Sequence, residues 1–517
     1  MHMLKKITTI TAAILCTAAA AFAQNAYDAL RYSERFTEGT ARSVAMGNAF
    51  TALGGDMGGI TINPASSAVY RYSEFLLTPS VAGTSSSASY LGSSTSDNKT
   101  GFGIANIGYV GSYNTGRKNA GLVSWSFGFV LTKENNFNNA MKVRGRTNSS
   151  SWLSSLASNT NGIFAPTMDL NSQNDPYWYS NASWNSILGW NTSLLDTLPG
   201  TRDQYIAATE NLDGYDISVG GELNQMFRSK SKGNITEATI NFGGNFSNKF
   251  FAGVNIGIQS ISYRYDEIYG EQATNSNDFQ TGFESFSAAY RYKATGTGIN
   301  LKAGIIYLPT QWLRLGASIS TPTWMYLSED WENGMEASFN DGYNQRLESP
   351  LGTYDYRLNT PFRWNIGAAL RLGNLGVVSA DYESVDYSKA KFISTEFNEG
   401  YDAENEETAN LLTTQSIIRL GAELNVSPVF AVRAGYQHYT SPYADGTSDD
   451  AKNIGSLGVG YVASCGASDF FVDLTYQQML KKGNEKFSLY SDTDIPAPAG
   501  TNKTNAWKLL LTLGFRF

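Results

Sequence analysis

Apolar and polar residues alternate along most of the chain from about residue 74 to the C-terminus. In the segment IIRLGAELNV, Ile418 and Leu420 fall on one side of an extended chain, and Arg419 and Glu423 fall on the other. The segments RWNIGAALRL and FAGVNIGIQ repeat this pattern. Successive side chains of a β-strand point to opposite faces, so each segment is predicted to form a strand with one apolar and one polar face.

The connections between these predicted strands alternate between short and long. Short turns are expected near residues 111–119, 247–249, 308–311, 373–375, 426–428 and 464–468. Longer polar segments are expected near residues 85–100, 133–235, 267–283, 329–352, 388–413, 440–453 and 481–504. Seven long loops and six short turns join fourteen strands, which is the topology of a transmembrane barrel with its short turns at one end.

A soluble β-sandwich would alternate in the same way, so the polar face decides between the two architectures. That face carries charged residues in the middle of strands, including Arg371, Glu423 and Lys302, and is otherwise rich in Gly, Ser and Asn. Such a face suits a water-lined or plugged lumen. The predicted fold is therefore all-β, a transmembrane antiparallel β-barrel of about fourteen strands.

The last predicted strand, AWKLLLTLGFRF, runs to the final residue with apolar residues at alternate positions. Phe515 and Phe517 complete this alternation. A terminal strand that alternates to a final Phe resembles the signal by which the bacterial barrel-assembly machinery recognises its clients. We therefore expect Phe515 and Phe517 to form that signal.

The composition agrees with a membrane β protein. The 517 residues are 13% aromatic and include 50 glycines, while 16% are charged, against about 25% in an average soluble domain. Residues 1–23 have the features of a signal peptide, with Lys5 and Lys6, an apolar stretch and then AFA before an expected cleavage near Gln24. No later apolar run approaches the roughly 18 residues of a spanning helix, so any membrane crossing must use strands.

Charge and residue counts disfavour several functions. Removing Lys5 and Lys6 takes the 38 basic residues to 36 against 46 acidic ones, and this acidic balance argues against nucleic-acid binding. The exported chain keeps one cysteine, Cys465, and one histidine, His438, which are too few for a Cys/His zinc site. His438 also lacks the His-x-Ser spacing of outer-membrane phospholipases. The sequence therefore predicts a protein that is not an enzyme and has no metal or cofactor.

Residues 24–72 break the alternation and precede the first predicted strand. The stretch GTARSVAMGNAFTALGGDMGGITINPASSAV is rich in glycine and other small residues, and Asn63 and Pro64 have the residue types of a helix N-cap and first helical position. A segment of this length either trails outside the barrel or folds back into it, and small residues favour packing in a confined, glycine-lined lumen. We therefore predict a hatch over residues 24–72 and a barrel over residues 73–517.

This hatch sequence, followed by an alternating barrel that ends in Phe, resembles the FadL/TodX family of outer-membrane channels for long-chain fatty acids and other hydrophobic compounds. The family order of a small-residue helix, a Gly-Asp turn and Asn-Pro-Ala corresponds to Ala45–Gly47, to Gly55 and Asp56, and to Asn63, Pro64 and Ala65. The segments GINLKAGIIYLPTQWLRLGASIS, FAVRAGYQHYTSPYAD and FFVDLTYQQ are also similar. The resemblance implies a fourteen-stranded barrel in the bacterial outer membrane. It also implies a moving hatch that includes Gly55, Asp56, Asn63, Pro64 and Ala65.

The same resemblance implies passive uptake of hydrophobic compounds such as long-chain fatty acids, captured outside and released by hatch rearrangement. Expected partners are these small molecules, lipopolysaccharide and other outer-membrane lipid, and the barrel-assembly machinery. Some relatives serve protein secretion, so a secretion-associated or structural barrel that docks partner proteins is the alternative. A general porin is a third possibility.

The long outer segment, about residues 133–235, is the largest departure from the family pattern. It carries two short helical candidates, SWLSSLAS and SILGWNTSLLDTL, and the tryptophans Trp152, Trp178, Trp184 and Trp190. One interpretation is a loop that packs its own aromatics or contacts lipopolysaccharide. The other is an exposed apolar groove that captures hydrophobic ligand, which makes these four tryptophans candidate capture residues.

Overall fold

The helices are few and short. The computed structural model describes residues 25–395, 400–466, 468–480, 484–491 and 496–517, so the predicted signal peptide lies outside the described residues. The α-helices are α1 Ala26–Ser33, α2 Ala41–Ala45, α3 Met57–Ile60, α4 Trp152–Thr160, α5 Pro176–Tyr179, α6 Trp184–Asn191 and α7 Asp402–Leu411. The 3-10 turns are Pro64–Val69, Ala165–Met168, Ser276–Asp278, Tyr387–Lys389 and Ser448–Asp450. Among these described residues, no helix is long and apolar enough to cross a membrane.

Strands make up most of the chain. In order, they are β1 Glu74–Tyr90, β2 Ser93–Asn114, β3 Leu122–Asn136, β4 Asn139–Thr147, β5 Leu195–Thr197, β6 Tyr205–Ala207, β7 Glu210–Asp213, β8 Asp216–Val219, β9 Leu223–Phe246, β10 Phe250–Ala273, β11 Phe283–Tyr307, β12 Leu313–Ser320, β13 Trp324–Phe339, β14 Asn344–Glu348, β15 Gly352–Asn359, β16 Arg363–Arg371, β17 Gly376–Asp386, β18 Lys391–Ser394, β19 Thr414–Ser427, β20 Phe430–Tyr439, β21 Lys452–Cys465, β22 Ser468–Met479, β23 Glu485–Ser488 and β24 Ala499–Arg516.

Fourteen antiparallel wall strands close into a barrel, which confirms the predicted fold. Around the ring they are β1, β2, β3 with β4, β9, β10, β11, β12 with β13, β15 with β16, β17 with β18, β19, β20, β21, β22 with β23, and β24. The ring closes where β24 pairs with β1, from Glu74 opposite Arg516 to Ser89 opposite Thr501. Phe517 and Ser73 extend this seam with two backbone hydrogen bonds of 3.0 Å. The role of Phe515 and Phe517 as an assembly signal stays a prediction.

The predicted short turns join β2 to β3, β9 to β10, β11 to β12, β16 to β17, β19 to β20 and β21 to β22, all at one end, here called the short-turn end. The prediction of a long loop at residues 85–100 is wrong. There β1 and β2 continue to Tyr90 and Ser93, and only Leu91 and Gly92 turn the chain, at φ angles of 48° and 74°. This hairpin consists largely of Ser and Thr, so its sequence does not alternate between apolar and polar residues.

The outward face of the wall carries an apolar belt. On β10 the outward side chains Phe250, Val254, Ile256 and Ile258 are exposed. Ile258 lies opposite Ile299 of β11, which is also exposed. A closed ring of paired strands with an apolar outer belt meets the two demands of a bilayer, paired backbone groups and an apolar surface. The wall therefore spans a membrane.

The hatch lies inside this ring, where wall glycines make room for its backbone. Eight wall strands each present a glycine whose missing Cβ would collide with the hatch: Gly243, Gly253, Gly304, Gly316, Gly367, Gly421, Gly435 and Gly458. A Cβ at Gly253 would lie 2.7 Å from the nitrogen of Ala65, and one at Gly435 would lie 2.7 Å from the carbonyl oxygen of Ala45. Real Cβ atoms do not tolerate such contacts, so only glycine permits this close approach. These glycines, here called the glycine belt, lie close to the short-turn end, with Gly253 three residues into β10.

The outer domain, residues 148–222, is inserted between β4 and β9 at the opposite end. It contains α4, α5, α6 and the two small hairpins β5–β6 and β7–β8. Trp152 packs on the wall residues Tyr269 and Phe286, with ring centroids 5.8 and 5.4 Å apart. The domain therefore shares a continuous hydrophobic core with the barrel rim.

Candidate functional site

The candidate site is a cavity of about 270 Å³ in the lumen. It lies between the N-terminal part of the hatch and the inner faces of β1, β20, β21, β22 and β24, and it also touches the β3–β4 junction. Its apolar lining includes Phe36, Phe137, Tyr439, Ile454 and Met479. This lining suits an apolar molecule, because burial of apolar surface is the main source of affinity in such pockets.

Three cations also line the cavity, and each has an acidic partner in the hatch. Lys508 lies 3.0 Å from Glu38, and Lys452 lies 2.9 Å from Glu34. Lys452 also lies over the ring of Phe36, 4.7 Å from its centroid. The third cation, Arg31, bonds to Asp28 within α1. The cavity thus combines apolar walls with positive charge whose partners are hatch carboxylates.

The wall is interrupted next to this cavity. Pairing between β2 and β3 runs from Asn114 opposite Ser124 only as far as Asn106 opposite Thr132. Beyond that point β3 has a bulge between Lys133 and Asn135 in its pairing with β9. Within the described ladders, β2 then pairs with β1 alone.

The continuation of this wall strand, β4, packs on the β1–β2 hairpin through side chains. The hydroxyls of Thr84, Ser86 and Thr95 donate to the carbonyls of Asn138, Ala140 and Lys142, at 3.2, 2.7 and 2.5 Å. A run of backbone bonds is thus replaced by three hydroxyl contacts. The wall between β2 and the β3–β4 junction is consequently weaker than elsewhere, and we call this part the β2–β3 window.

Glycines on β2 face the window. A Cβ at Gly103 would lie 2.7 Å from Nζ of Lys133, and one at Gly101 would lie 3.0 Å from Nδ2 of Asn138. Between them Phe102 points outward and is 78% exposed. The two glycines let Asn138 and Lys133 approach β2 closely, and Phe102 keeps the outer surface of the window apolar.

A short hatch segment takes over the pairing that β2 gives up. We call residues 34–38 the strap. The N–H groups of Phe36 and Glu38 donate to the carbonyls of Glu134 and Lys133, both at 2.8 Å. The Glu38 carboxylate also pairs with Lys133 at 3.1 Å. The strap therefore lies between the cavity and the window and is held by bonds to β3.

Burial alone would raise the pKa of Glu38, but Lys508 and Lys133 more than offset it and hold the pKa below its usual value. Glu38 is 1% exposed, so its carboxylate depends on these two partners for solvation. The strap is thus fastened by one buried anion between two wall cations.

The predicted gating residues lie in the most firmly seated part of the hatch. Asn63 caps the turn Pro64–Val69, and its Nδ2 donates to the carbonyls of Thr51 and Ile305, at 2.6 and 3.0 Å. Its Oδ1 accepts from the N–H of Ala65 at 3.0 Å. Asn63 therefore joins two hatch segments to the wall. A role for Asn63, Pro64 and Ala65 in gating stays a prediction.

Asp56 and Gly55 hold a neighbouring turn. Asp56 accepts from the N–H of Gly58 at 2.9 Å and from the hydroxyl of Thr40 at 2.7 Å. The N–H of Gly55, at a φ of 69°, donates to the Ser66 carbonyl at 3.0 Å. These bonds lie within the hatch, so they fix its internal shape.

A buried ion network attaches the same region to the wall. Arg42 of α2 lies 2.8 Å from Glu423, which also pairs with Arg433 at 2.6 Å. Arg433 continues to Asp473 at 2.5 Å. Glu423 and Arg433 come from β19 and β20, and Asp473 from β22. Removing one member of a buried network costs about 3–5 kcal/mol. The part of the hatch that follows the strap, residues 39–72, is therefore strongly anchored, and we call it the lower hatch.

The four candidate capture tryptophans lie in the outer domain. Trp152 is buried against the barrel rim, Trp184 packs edge-on to Tyr177 and 5.8 Å from Trp331, and Trp190 packs edge-on to Tyr205. Trp178 is 60% exposed. The cavity is lined by other residues, so ligand capture by these tryptophans stays a prediction.

Sequence reasoning missed the strap and the cavity cations. Lys508 stood at a polar position of an alternating strand, where it looked the same as other lumen residues, and Lys452 fell in the long polar segment expected near residues 440–453. Glu34 and Glu38 lay in a short stretch without periodicity. Their pairing depends on contacts between residues more than 400 positions apart, and no local pattern predicts it.

Among the described residues, His438 is the only histidine, and it lies in β20. His438 Nδ1 is 2.8 Å from the Asn453 side-chain oxygen on β21. Within the part of the chain that the structure describes, no group of three or more His, Cys, Asp or Glu side chains is arranged to hold a metal ion.

No protein-family model matches the sequence, and no curated protein matches it. Solved structures do match over nearly the whole chain. A Pseudomonas aeruginosa FadL homologue superposes with a TM-score of 0.53 and 12% identity, covering 93% of this chain and 98% of its own. The P. putida toluene transporter TodX superposes with a TM-score of 0.51 and 15% identity, covering 93% of this chain and 99% of its own. This chain therefore shares the fold of the FadL homologue and TodX.

Proposed function

We propose that the protein is a bacterial outer-membrane channel for the passive uptake of hydrophobic compounds. The observation that carries the proposal is an apolar lumen cavity of about 270 Å³ next to an interrupted wall. The shared fold with a FadL homologue and a toluene transporter supports the same function. In the outer membrane, the short-turn end of such a barrel faces the periplasm and the outer domain faces the cell exterior.

The route leads sideways through the wall. The glycine belt and the Arg42–Glu423 network hold the lower hatch across the lumen near the short-turn end. A ligand in the cavity meets the β2–β3 window instead, with only the strap between them. Lateral exit places an apolar molecule directly into the bilayer, so it never crosses the aqueous space below the barrel.

The moving part of the hatch is the strap. The strap is held by two backbone hydrogen bonds, by the ion pairs of Glu38 and Glu34, and by side-chain hydrogen bonds of Arg35 to Thr323, of Thr37 to Glu134 and of Asn135 to the Glu34 carbonyl. The lower hatch has the glycine belt, the Asn63 bonds and the buried network. Motion confined to residues 34–38 opens the window without unseating the rest. Gating at Asn63–Ala65 would cost more, because it would break the contacts that hold the lower hatch to the wall.

Long-chain fatty acids fit the cavity chemistry. An alkyl chain gains about 0.8 kcal/mol for each methylene that leaves water, which supplies a passive driving force. A carboxylate finds Lys508 and Lys452 on the wall, both now paired with hatch carboxylates. A ligand that competes for these lysines would release the strap as it binds. Neutral aromatics lack this second effect.

Uptake of a radiolabelled long-chain fatty acid and of toluene tests the proposal in cells with the gene deleted and then restored. Ile454→Asp puts a carboxylate into the apolar lining, and it should lower fatty-acid uptake at least about tenfold, or about 1.4 kcal/mol. Ile217→Asp, on an exposed strand of the outer domain, is the matched control and should retain uptake. Unchanged uptake of both compounds after deletion would remove the basis of the proposal.

A further inference from the structure

A band of cations lies on the outward face of neighbouring wall strands. The pairing register puts Lys232 of β9 opposite Arg264 of β10, and Arg264 opposite Lys293 of β11. Three cations thus form one row across three strands. Further along β9, Lys230 and Arg228 also face outward and are exposed.

The row lies at a defined height above the apolar belt. On β10, two serines at positions 260 and 262 separate Ile258 from Arg264. The register places hydroxyl or amide residues beside both serines on β9 and β11. Six residues of a strand tilted by about 40° rise about 15 Å. Ordinary headgroups reach only roughly 5–8 Å beyond the hydrocarbon. The cations therefore lie at the level of a lipid that carries sugars.

The cations are only partly balanced within the protein. Arg264 pairs with Asp266 at 3.2 Å, Lys293 with Asp330 at 3.6 Å and Arg228 with Asp97 at 3.8 Å. Among the ion pairs of the described residues, none involves Lys230 or Lys232. Their ammonium groups remain available to an external anion.

Two like charges also face each other across a strand pair. Lys142 of β4 lies directly opposite Arg228 of β9. Like charges in that position repel and destabilise the pair. An anion bound between them would remove the penalty.

The row spans three neighbouring strands, so a single bound molecule with several phosphates can contact all of its cations.

We propose that this band, centred on Lys142, Arg228, Lys230, Lys232, Arg264 and Lys293, binds a phosphorylated glycolipid of the surrounding leaflet. Lysine and arginine donate charge-assisted hydrogen bonds to phosphate oxygens, and neighbouring strands space the donors across one headgroup. The inference depends on the membrane placement of the barrel and is independent of ligand uptake. It adds a lipid-binding site on the outside of the wall.

Binding is tested with the full-length protein in detergent and three probes: lipopolysaccharide with phosphorylated core sugars, the same lipopolysaccharide after phosphatase treatment, and phosphatidylglycerol vesicles. The first should bind the wild type, and raising the salt concentration should weaken it. The triple variant Lys142→Gln/Lys230→Gln/Lys232→Gln should lose at least about tenfold in affinity. The control Arg357→Gln/Lys391→Gln, on β15 and β18, should bind like the wild type.

Folding of each variant is checked by the heat-dependent shift in electrophoretic mobility that closed barrels show, so a misfolded variant is recognised and replaced by Lys232→Gln alone. Equal binding of the dephosphorylated probe would overturn the proposal. Equal binding of the triple variant, or binding of phosphatidylglycerol vesicles with the same dependence on these lysines, would also overturn it. Fatty-acid uptake by Lys230→Gln/Lys232→Gln should be unchanged, which separates this site from the lumen cavity.

Discussion

Glu38 of the hatch and Lys133 of β3 are joined twice. The Glu38 N–H donates to the Lys133 carbonyl oxygen at 2.8 Å, and the two side chains form an ion pair at 3.1 Å. Lys133 lies where β3 leaves β2. One residue pair therefore connects the hatch, the cavity and the interrupted wall.

Glu38→Gln should loosen the strap. The change leaves Lys133 and Lys508 without their shared anion, and breaking a buried pair costs about 3–5 kcal/mol. Hydrogen exchange of the peptide containing Phe36 should become faster, while exchange in the lower hatch should not change. Glu332→Gln removes an exposed partner of Arg291 and, as the control, should cost at most about 1 kcal/mol. Equal exchange in both variants would show that Glu38 does not hold the strap.

Strap stability should depend on pH through Glu38. The pKa of its carboxyl is lower in the folded protein than in the unfolded chain, so the stabilisation is complete above the unfolded value of about 4.3. It is lost as the pH falls below that value and through the folded pKa. Strap exchange, corrected for intrinsic rates, should therefore rise below about pH 4.3. In Glu38→Gln this rise should be absent, and a rise of the same size there would assign it to another group.

Gly103→Leu should narrow the β2–β3 window. Its Cβ alone would lie 2.7 Å from Nζ of Lys133, so the added side chain must occupy the space there. Fatty-acid uptake should fall several-fold while ligand binding to the purified protein is kept, since the cavity itself is unchanged. Gly334→Leu is the control, because the nearest atom to an added Cβ at that position is 3.6 Å away. Normal uptake in Gly103→Leu would argue against lateral exit.

Gly435→Val should prevent the lower hatch from seating. The new side chain would collide with the hatch backbone at Ala45 and Met46, and overpacking of this kind costs about 1–3 kcal/mol. The urea midpoint of the folded barrel should fall. Gly455→Val on the next strand meets only Leu480, at 3.4 Å, and should have a smaller effect. A smaller loss in Gly435→Val than in Gly455→Val would remove the argument for the glycine belt.

The sequence predicted the barrel because each wall strand repeats a local pattern. The alternation in IIRLGAELNV or AWKLLLTLGFRF follows from burial on one face only, so strand count and closure could be worked out from period two. The small residues of the hatch likewise indicated a confined lumen. The prediction failed at residues 85–100, where the β1–β2 hairpin rises above the membrane and has no apolar face.

The site was less predictable because its contacts are long-range. The window arises from a bulge at Lys133–Asn135, and the strap closes it through partners in β3, β21 and β24. Neither feature has a composition or spacing of its own. The tryptophans of the outer segment were conspicuous in sequence, yet Trp152 packs into the core that joins the outer domain to the barrel.

A reversible lock on the strap tests most directly whether ligand leaves the cavity past it. Glu38 and Lys133 form an antiparallel bridge, whose Cα separation of about 4.5–5.5 Å suits a disulfide. Fatty-acid uptake is measured in Glu38→Cys/Lys133→Cys, in a Cys465→Ser background, before and after reduction. If strap motion opens the window, the oxidised protein should take up little ligand, and reduction of the same sample should restore uptake. Equal uptake in the oxidised and reduced states would contradict it.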